Sequence, residues 1–310
     1  MMFRQLTSLS PTSSVNRVAN LHTTKNLVYL AYGQDAYVNE VLFSILSAFR
    51  AVPPSRTDYR IIVVTDNPAP YQGLRVQTEL ISPNQMTEWL GSRENNNRRQ
   101  IAALRHVLAK TNTPSMLVDG DTYFRASPDA LFDWIAPGKT IMHMDEGPIK
   151  HLKEHRFLCE LVASHPFRPA AWPEFCLTPD FHMWNAGVIG LHPADIGLLD
   201  KALLVCDAMW DWQRYKYSVQ TSLNAALGTR SHRREAAGVI FHYWRPYLRK
   251  PFREAMQTFM PLYENLPEAE RAEKCWHRRP RPTPFKRLRC GLKSMIHQLG
   301  LTQVGLRSNG

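Results

Sequence analysis

Ser115-Met-Leu-Val-Asp-Gly-Asp-Thr-Tyr-Phe124 is the stretch that decides how this chain folds. A short apolar strand runs into two carboxylates. Residues two apart in a strand point to the same face, and Gly120 permits a turn, so Asp119 and Asp121 can converge at the carboxyl edge of a sheet. That edge is where open α/β sheets bind ligands. Two hard oxygen ligands suit Mn²⁺ or Mg²⁺ holding the phosphates of a substrate. Taken alone, the same residues could equally be a solvated Asp-Gly turn closing a hairpin.

Working outward, Leu27-Val-Tyr-Leu-Ala-Tyr-Gly33 and Tyr59-Arg-Ile-Ile-Val-Val-Thr-Asp66 read as buried strands. Between them, apolar residues at 38, 41, 42, 45, 46 and 49 have helical spacing, closed by Pro53-Pro54. The pattern predicts further helices over 100–110, 194–214 and 219–227, and strands over 140–144, 184–191 and 238–244. Residues 145–183, rich in Pro, aromatic and polar residues, read as irregular, and one more helix follows Pro251. Continuous apolar strands alternating with helices predict an α/β fold whose sheet is covered on both faces.

The chain has 310 residues, 44% of them apolar, which excludes a disordered or collagenous protein. Its net charge of +11 suggests a nucleic-acid binder until the charges are located. Nine Lys and Arg with no acid lie beyond residue 273, and three with no acid lie before residue 27, so the body between them carries about −1. No nucleic-acid motif is present, and nucleic acid is not an expected partner. Five widely spaced cysteines without a CxxC argue against a disulfide framework or a cysteine zinc site and fit a reducing compartment. No apolar run approaches the length of a membrane span, and no apolar segment follows Arg4 as a secretory signal requires.

From Leu27 to Phe252 the ordered elements resemble the nucleotide-sugar glycosyltransferases of the GT-A fold, similar to family 8, the glycogenin and lipopolysaccharide galactosyltransferase type. The resemblance is carried by Val28-Tyr-Leu-Ala-Tyr32, Ile62-Val-Val-Thr-Asp66, Arg98-Arg99 before a helix, Asp119-Gly-Asp121, Trp184-Asn-Ala-Gly-Val188, Ser218-Val-Gln-Thr-Ser-Leu-Asn224 and His242. It implies a Rossmann-like, mixed and mostly parallel sheet with helices on both faces. It also implies Asp119, Asp121 and His242 as ligands of Mn²⁺ or Mg²⁺, with Asp119 also near the donor ribose. Imidazole and carboxylate together suit Mn²⁺. Arg98 or Arg99 would reach the donor from the helix start, the two being equally consistent with a solvated turn. Lys250, from a Lys-Pro-aromatic segment, would neutralise the leaving diphosphate, with Arg249 as a substitute. Tyr32 and Gly33 would lie by the base, and Gly120 between the metal carboxylates. Asp66 would contact the donor or cap a helix. Asn185 and Gln220 would face the transferred sugar and the acceptor, and Asp145, beside Glu146, would contact sugar hydroxyls. Val219 stands where the family commonly has an acid before the Gln.

The expected organisation is a flexible basic leader over 1–26, a catalytic domain over 27–273 and a basic Pro/Arg linker with an amphipathic helix over 274–310. In the last part, apolar residues at 285, 288, 292, 295, 296 and 299 form one helical face flanked by Lys286, Arg287, Arg289 and Lys293. Such a helix can lie on an anionic membrane surface through 284–300, or pack on the body. The implied activity is metal-dependent transfer of a sugar from a nucleotide-diphosphate donor, a UDP-sugar by preference, to a glycan or lipid-linked acceptor, with retention. The implied place is the cytoplasm, peripheral on the inner face of the membrane. Two alternatives stand beside it. One is a phosphatase of the haloacid-dehalogenase type with Asp119 as nucleophile, the other a non-catalytic nucleotide- or glycan-binding protein of the same fold.

Overall fold

The computed structural model describes residues 24–92, 94–228 and 232–281. The expected helix over 284–300 lies outside these residues, as does Cys290. Strand β1 (Lys25–Ala31) leads into helix α1 (Asp35–Ala51), then β2 (Tyr59–Thr65), β3 (Gln77–Leu80), α2 (Pro83–Leu90) and α3 (Arg98–Thr111). β4 (Ser115–Val118) and β5 (Thr122–Phe124) flank the Asp-Gly-Asp turn and are followed by a single turn of helix, α4 (Asp129–Phe132). Next come β6 (Thr140–Pro148), α5 (Arg156–Ser164), β7 (His182–Leu191), α6 (Gly197–Gln213) and α7 (Ser218–Ala226). β8 (Arg233–Glu235), β9 (Ile240–His242), α8 (Pro246–Phe259) and α9 (Glu268–His277) complete the order.

A seven-stranded sheet has the order β3-β2-β1-β4-β7-β6-β8, and β5 and β9 form a separate two-stranded ribbon. β7 runs antiparallel to both neighbours, and the other ladders of the large sheet are parallel. This is the mixed, mostly parallel α/β sheet that the resemblance implies. Alternation divides its side chains between two apolar layers. Leu27, Tyr29, Ile61, Val63, Met116 and Val118 pack with buried residues of α1, α8 and α9. Val28, Ile62, Val64, Leu117 and Ile189 pack with those of α3, α6 and α7 on the other face. Because β1, β4 and β6 run in one direction, their carboxyl ends meet at one edge, with the amino-terminal half of β7 between the latter two.

The structure departs from the sequence patterns in several places. β3, α2 and β8 were not expected. β3 and β8 are short edge strands, with too few turns of alternation to read. The stretch over 145–183 is less irregular than its composition suggests, since β6 extends to Pro148 and α5 buries Leu158 and Val162 against a third apolar cluster. α8 starts at Pro246 and carries Pro251 inside it, although an interior proline loses a helical hydrogen bond. Tertiary contacts offset that loss, because Phe252, Met256 and Phe259 are buried one turn apart and Arg249 and Arg253 grip the same carboxylate. β1 begins at Lys25, and α9 continues through 273, burying Cys275 in the core and setting Trp276 edge-on to Tyr123. No helix among the described residues is long and apolar enough to cross a membrane.

Candidate active site

β4 delivers Asp119, whose N–H donates to the Gly187 carbonyl at 2.9 Å. The chain then turns at Gly120 and returns as β5. A Cβ on Gly120 would lie 2.8 Å from Val41 Cγ2 and 3.2 Å from the Val41 nitrogen, so glycine is what lets α1 press on the turn. β5 pairs antiparallel with β9, placing Thr122 opposite His242. That pairing carries an imidazole from 121 residues downstream to the Asp121 carboxylate.

His242 Nε2 lies 3.1 Å from Asp121 Oδ1 and 3.8 Å from Asp119 Oδ2. Its Nδ1–H donates to Asn185 Oδ1 at 2.9 Å, and the same oxygen accepts the Gly187 N–H. This bond fixes the ring and turns Nε2 toward the acids, the arrangement in which histidine serves a metal. Gly187 has no side chain because His242 lies against its backbone, a Cβ there falling 2.1 Å from Nδ1. Asp119 Oδ1 accepts from Gln100 Nε2 at 2.5 Å.

Burial opposes the charged form of every group here, and partners outweigh it for some and not for others. For Asp121, burial is outweighed by His242 and Arg249, and its pKa falls. Asp119 is raised, by withdrawal from water and by the second negative charge of Asp121. His242, despite its burial, is raised by Asp121 and Asp119. Asp119, Asp121 and His242 each offer a ligand atom, and these atoms lie within 4.8 Å of one another. Two carboxylate oxygens and one imidazole nitrogen fit Mn²⁺, and Mg²⁺ less closely because of the nitrogen.

A second group of side chains reaches the same cleft, an open cavity of about 210 Å³. Arg249 Nη1 stands 2.9 Å from Asp121 Oδ2, while its Nε and Nη2 donate to Glu40 at 2.8 and 2.7 Å. Arg253 donates to the same two oxygens at 3.2 and 2.9 Å. Glu40 is only 1% exposed. On the opposite flank, Gln220 Nε2 donates to Glu146 Oε2 at 2.8 Å and Asn185 Nδ2 to Glu146 Oε1 at 3.4 Å. Burial raises the Glu146 pKa in spite of these two donors. Lys216, Tyr217 and Trp244 also line the cleft.

Of the residues singled out in the sequence, the structure brings Asp119, Asp121, His242, Asn185 and Gln220 together around this cleft, with Gly120 in the turn. Others fall elsewhere. Asp145 turns from the cleft, accepting from Gly147 N at 2.8 Å and His182 Nδ1 at 3.3 Å, and its neighbour Glu146 faces the amides instead. Lys250 is exposed on α8, and Arg249, one residue earlier, points inward. Arg98 pairs with Asp207 at 2.9 Å, and Gln100 rather than either arginine reaches the acids from α3. Arg99 places its guanidinium 4.9 Å from the Tyr32 ring centroid. Gly33 follows β1 with φ of 81°, and Asp66 is exposed after β2. Sequence reasoning missed Glu40, Gln100 and the role of Glu146. An acid beside the apolar stripe of α1 and arginines spaced by four were the available signals for the first.

Among solved structures, the chain is similar to the galactosyltransferase LgtC in complex with donor and acceptor sugar analogues. The match has 15% identity over 64% of this chain and 70% of that chain, with a TM-score of 0.42. It is also similar to mouse xyloside xylosyltransferase 1 in its apo form (13% identity, 66% and 80% of the two chains, TM-score 0.40) and to an active-site mutant of LgtC (14%, 64% and 69%, 0.41). No protein-family model and no curated protein sequence matches the chain. These structures carry the names of glycosyltransferases, the class its motifs resemble.

Proposed function

We propose that this chain is a metal-dependent glycosyltransferase that moves a sugar from a nucleotide-diphosphate donor, a UDP-sugar by preference, to the hydroxyl of a glycan or lipid-linked acceptor. The observation that carries the reading is the meeting, in one cleft, of two carboxylates and an imidazole with a tethered guanidinium on one flank and two side-chain amides on the other. Asp119, Asp121 and His242 would hold Mn²⁺, which when bound supplies positive charge to the donor phosphates. Breaking the bond from anomeric carbon to phosphate leaves negative charge on the diphosphate and positive charge on the sugar. Arg249 faces the first. Gln220, its amide held by the Glu146 carboxyl, would face the second, as carboxyls do in glycoside hydrolysis, while Asn185 Oδ1 is kept by His242 and Gly187. With retention, the acceptor oxygen joins the anomeric carbon on the face the diphosphate leaves, and its proton passes to the departing phosphate oxygen. Tyr32, with Arg99 over its ring, offers a stacking face for the base.

The phosphatase alternative is less well supported. It needs a later acidic pair at the metal, and Asp145 is engaged by Gly147 and His182 while Glu146 is engaged by the two amides. Calorimetric titration of UDP, GDP and dTDP with Mn²⁺, and again with EDTA, tests the proposal. Binding of one nucleotide that requires Mn²⁺ is expected. Folded protein that binds none of them under either condition would remove the donor site.

Glu146→Gln probes the amide flank. The substitution sets an NH₂ group against a side-chain amide donor, so Gln220 or Asn185 loses its acceptor. Turnover of the donor sugar is expected to fall about ten- to a hundredfold, with UDP affinity in Mn²⁺ changed less than about twofold. An unchanged release of UDP from the sugar nucleotide would take Glu146 out of the reaction.

A further inference from the structure

Arg249 is held at one end and shared at the other. Its Nε and Nη2 are gripped by the two oxygens of Glu40, a carboxylate buried in α1 that Arg253 also grips. Its Nη1 lies on Asp121 Oδ2, while Asp121 Oδ1 takes His242. Both oxygens of Asp121 are thus engaged, one by the imidazole and one by a guanidinium. Both guanidinium groups also lie over the Tyr37 ring, at 5.9 Å for Arg249 and 4.8 Å for Arg253, which limits where they can swing.

We propose that Arg249 is an exchangeable internal counter-ion of Asp121, tethered by Glu40, that makes binding of a divalent cation and of a nucleoside diphosphate depend on each other. The inference rests on the donor-site reading above. A divalent cation that takes Asp121 brings two positive charges against a guanidinium already on that carboxylate. Arg249 must then give up Asp121, and without another anion it is left with Glu40, which it shares with Arg253. A diphosphate supplies the missing anion. A guanidinium N–H donates strongly to a phosphate oxygen, and Nη1, once Asp121 has turned to the cation, can take one while Nε and Nη2 stay on Glu40. The nucleotide therefore lowers the cost of displacing Arg249, and by linkage the cation raises nucleotide affinity by the same factor. Arg253 touches Glu40 but not Asp121, so it steadies the tether without competing for the metal carboxylate.

The test is calorimetric titration of Mn²⁺ into wild type, Arg249→Gln and Arg253→Gln, each with and without saturating UDP, with circular dichroism to confirm folding. Arg249→Gln is expected to bind Mn²⁺ alone about tenfold more tightly than wild type, and the enhancement by UDP is expected to shrink by about the same factor. Arg253→Gln should keep both values within about threefold of wild type. Three results overturn the inference. One is Mn²⁺ affinity that is unchanged or weaker in Arg249→Gln. Another is an undiminished UDP enhancement in that variant. The third is an equal effect of the two substitutions, which would reduce Arg249 to a diffuse charge. Absence of Mn²⁺ binding in wild type, with and without UDP, overturns the donor-site reading itself and is distinguished from these by that alone.

Discussion

Asp121→Asn is expected to abolish Mn²⁺-dependent binding of UDP while leaving the protein folded. The substitution keeps the shape of the side chain and the carbonyl that accepts from Tyr243 N. What it removes is the charge on which His242 and Arg249 converge from opposite sides, at 3.1 and 2.9 Å. Outer partners of metal ligands alone change affinity about ten- to a hundredfold, so loss of a ligand should exceed about a hundredfold. Donor turnover should fall at least as far. Calorimetry with UDP and Mn²⁺, beside a thermal melt, measures both halves of the expectation, and nucleotide binding that survives in the variant would place the metal elsewhere.

Gly187→Ala should be strongly destabilising. The added Cβ would fall 2.1 Å from His242 Nδ1 and 2.3 Å from its Cε1, far inside contact distance. The ring must leave Asn185, or β7 must shift against its neighbours. Overpacking of this kind costs about 3 kcal/mol, and displacement of the imidazole should also cost the Mn²⁺-dependent binding of UDP. Gly197→Ala is the control, with nothing within 4 Å of the added carbon, and should stay within about 0.5 kcal/mol of wild type. A wild-type melting temperature and wild-type UDP binding in Gly187→Ala would contradict the packing described here.

Much of this arrangement was legible in the sequence, and the reason is periodicity. Strands buried on both faces leave continuous apolar runs, and Val28 and Tyr29, or Ile62 and Val63, show how neighbouring residues serve the two layers. Asp119-Gly-Asp121 stood out because charge follows such a run. His242 was reached only through resemblance, since no local pattern relates it to acids 121 residues away. The failures have a common origin in rotational register. Neighbouring residues on a helix differ by about 100°, so in Arg249-Lys250 one side chain faces the body and the next faces solvent, and in Arg98-Arg99 the two turn to different partners, Asp207 and the Tyr32 ring. Choosing between them requires the helix start, and Pro251 obscured that start for α8. Asp145 and Glu146 pose the same problem in a strand, where adjacent residues face opposite sides and a register irregularity in the β6–β7 ladder between Asp145 and Gly147 unsettles the count.

The ribbon of β5 and β9 has a consequence for how the protein is made. Translation proceeds from the amino terminus, so the strands that build the sheet around Asp119 emerge well before residue 242 leaves the ribosome. A nascent chain that ends in α7 already holds both aspartates and the floor of the cleft, yet it has neither the imidazole nor the Glu40-bound arginine that follows it. On the proposed reading, the imidazole and Arg249 join the two aspartates only once β9 and α8 have been made, so the full set of side chains at the cleft is assembled late in synthesis.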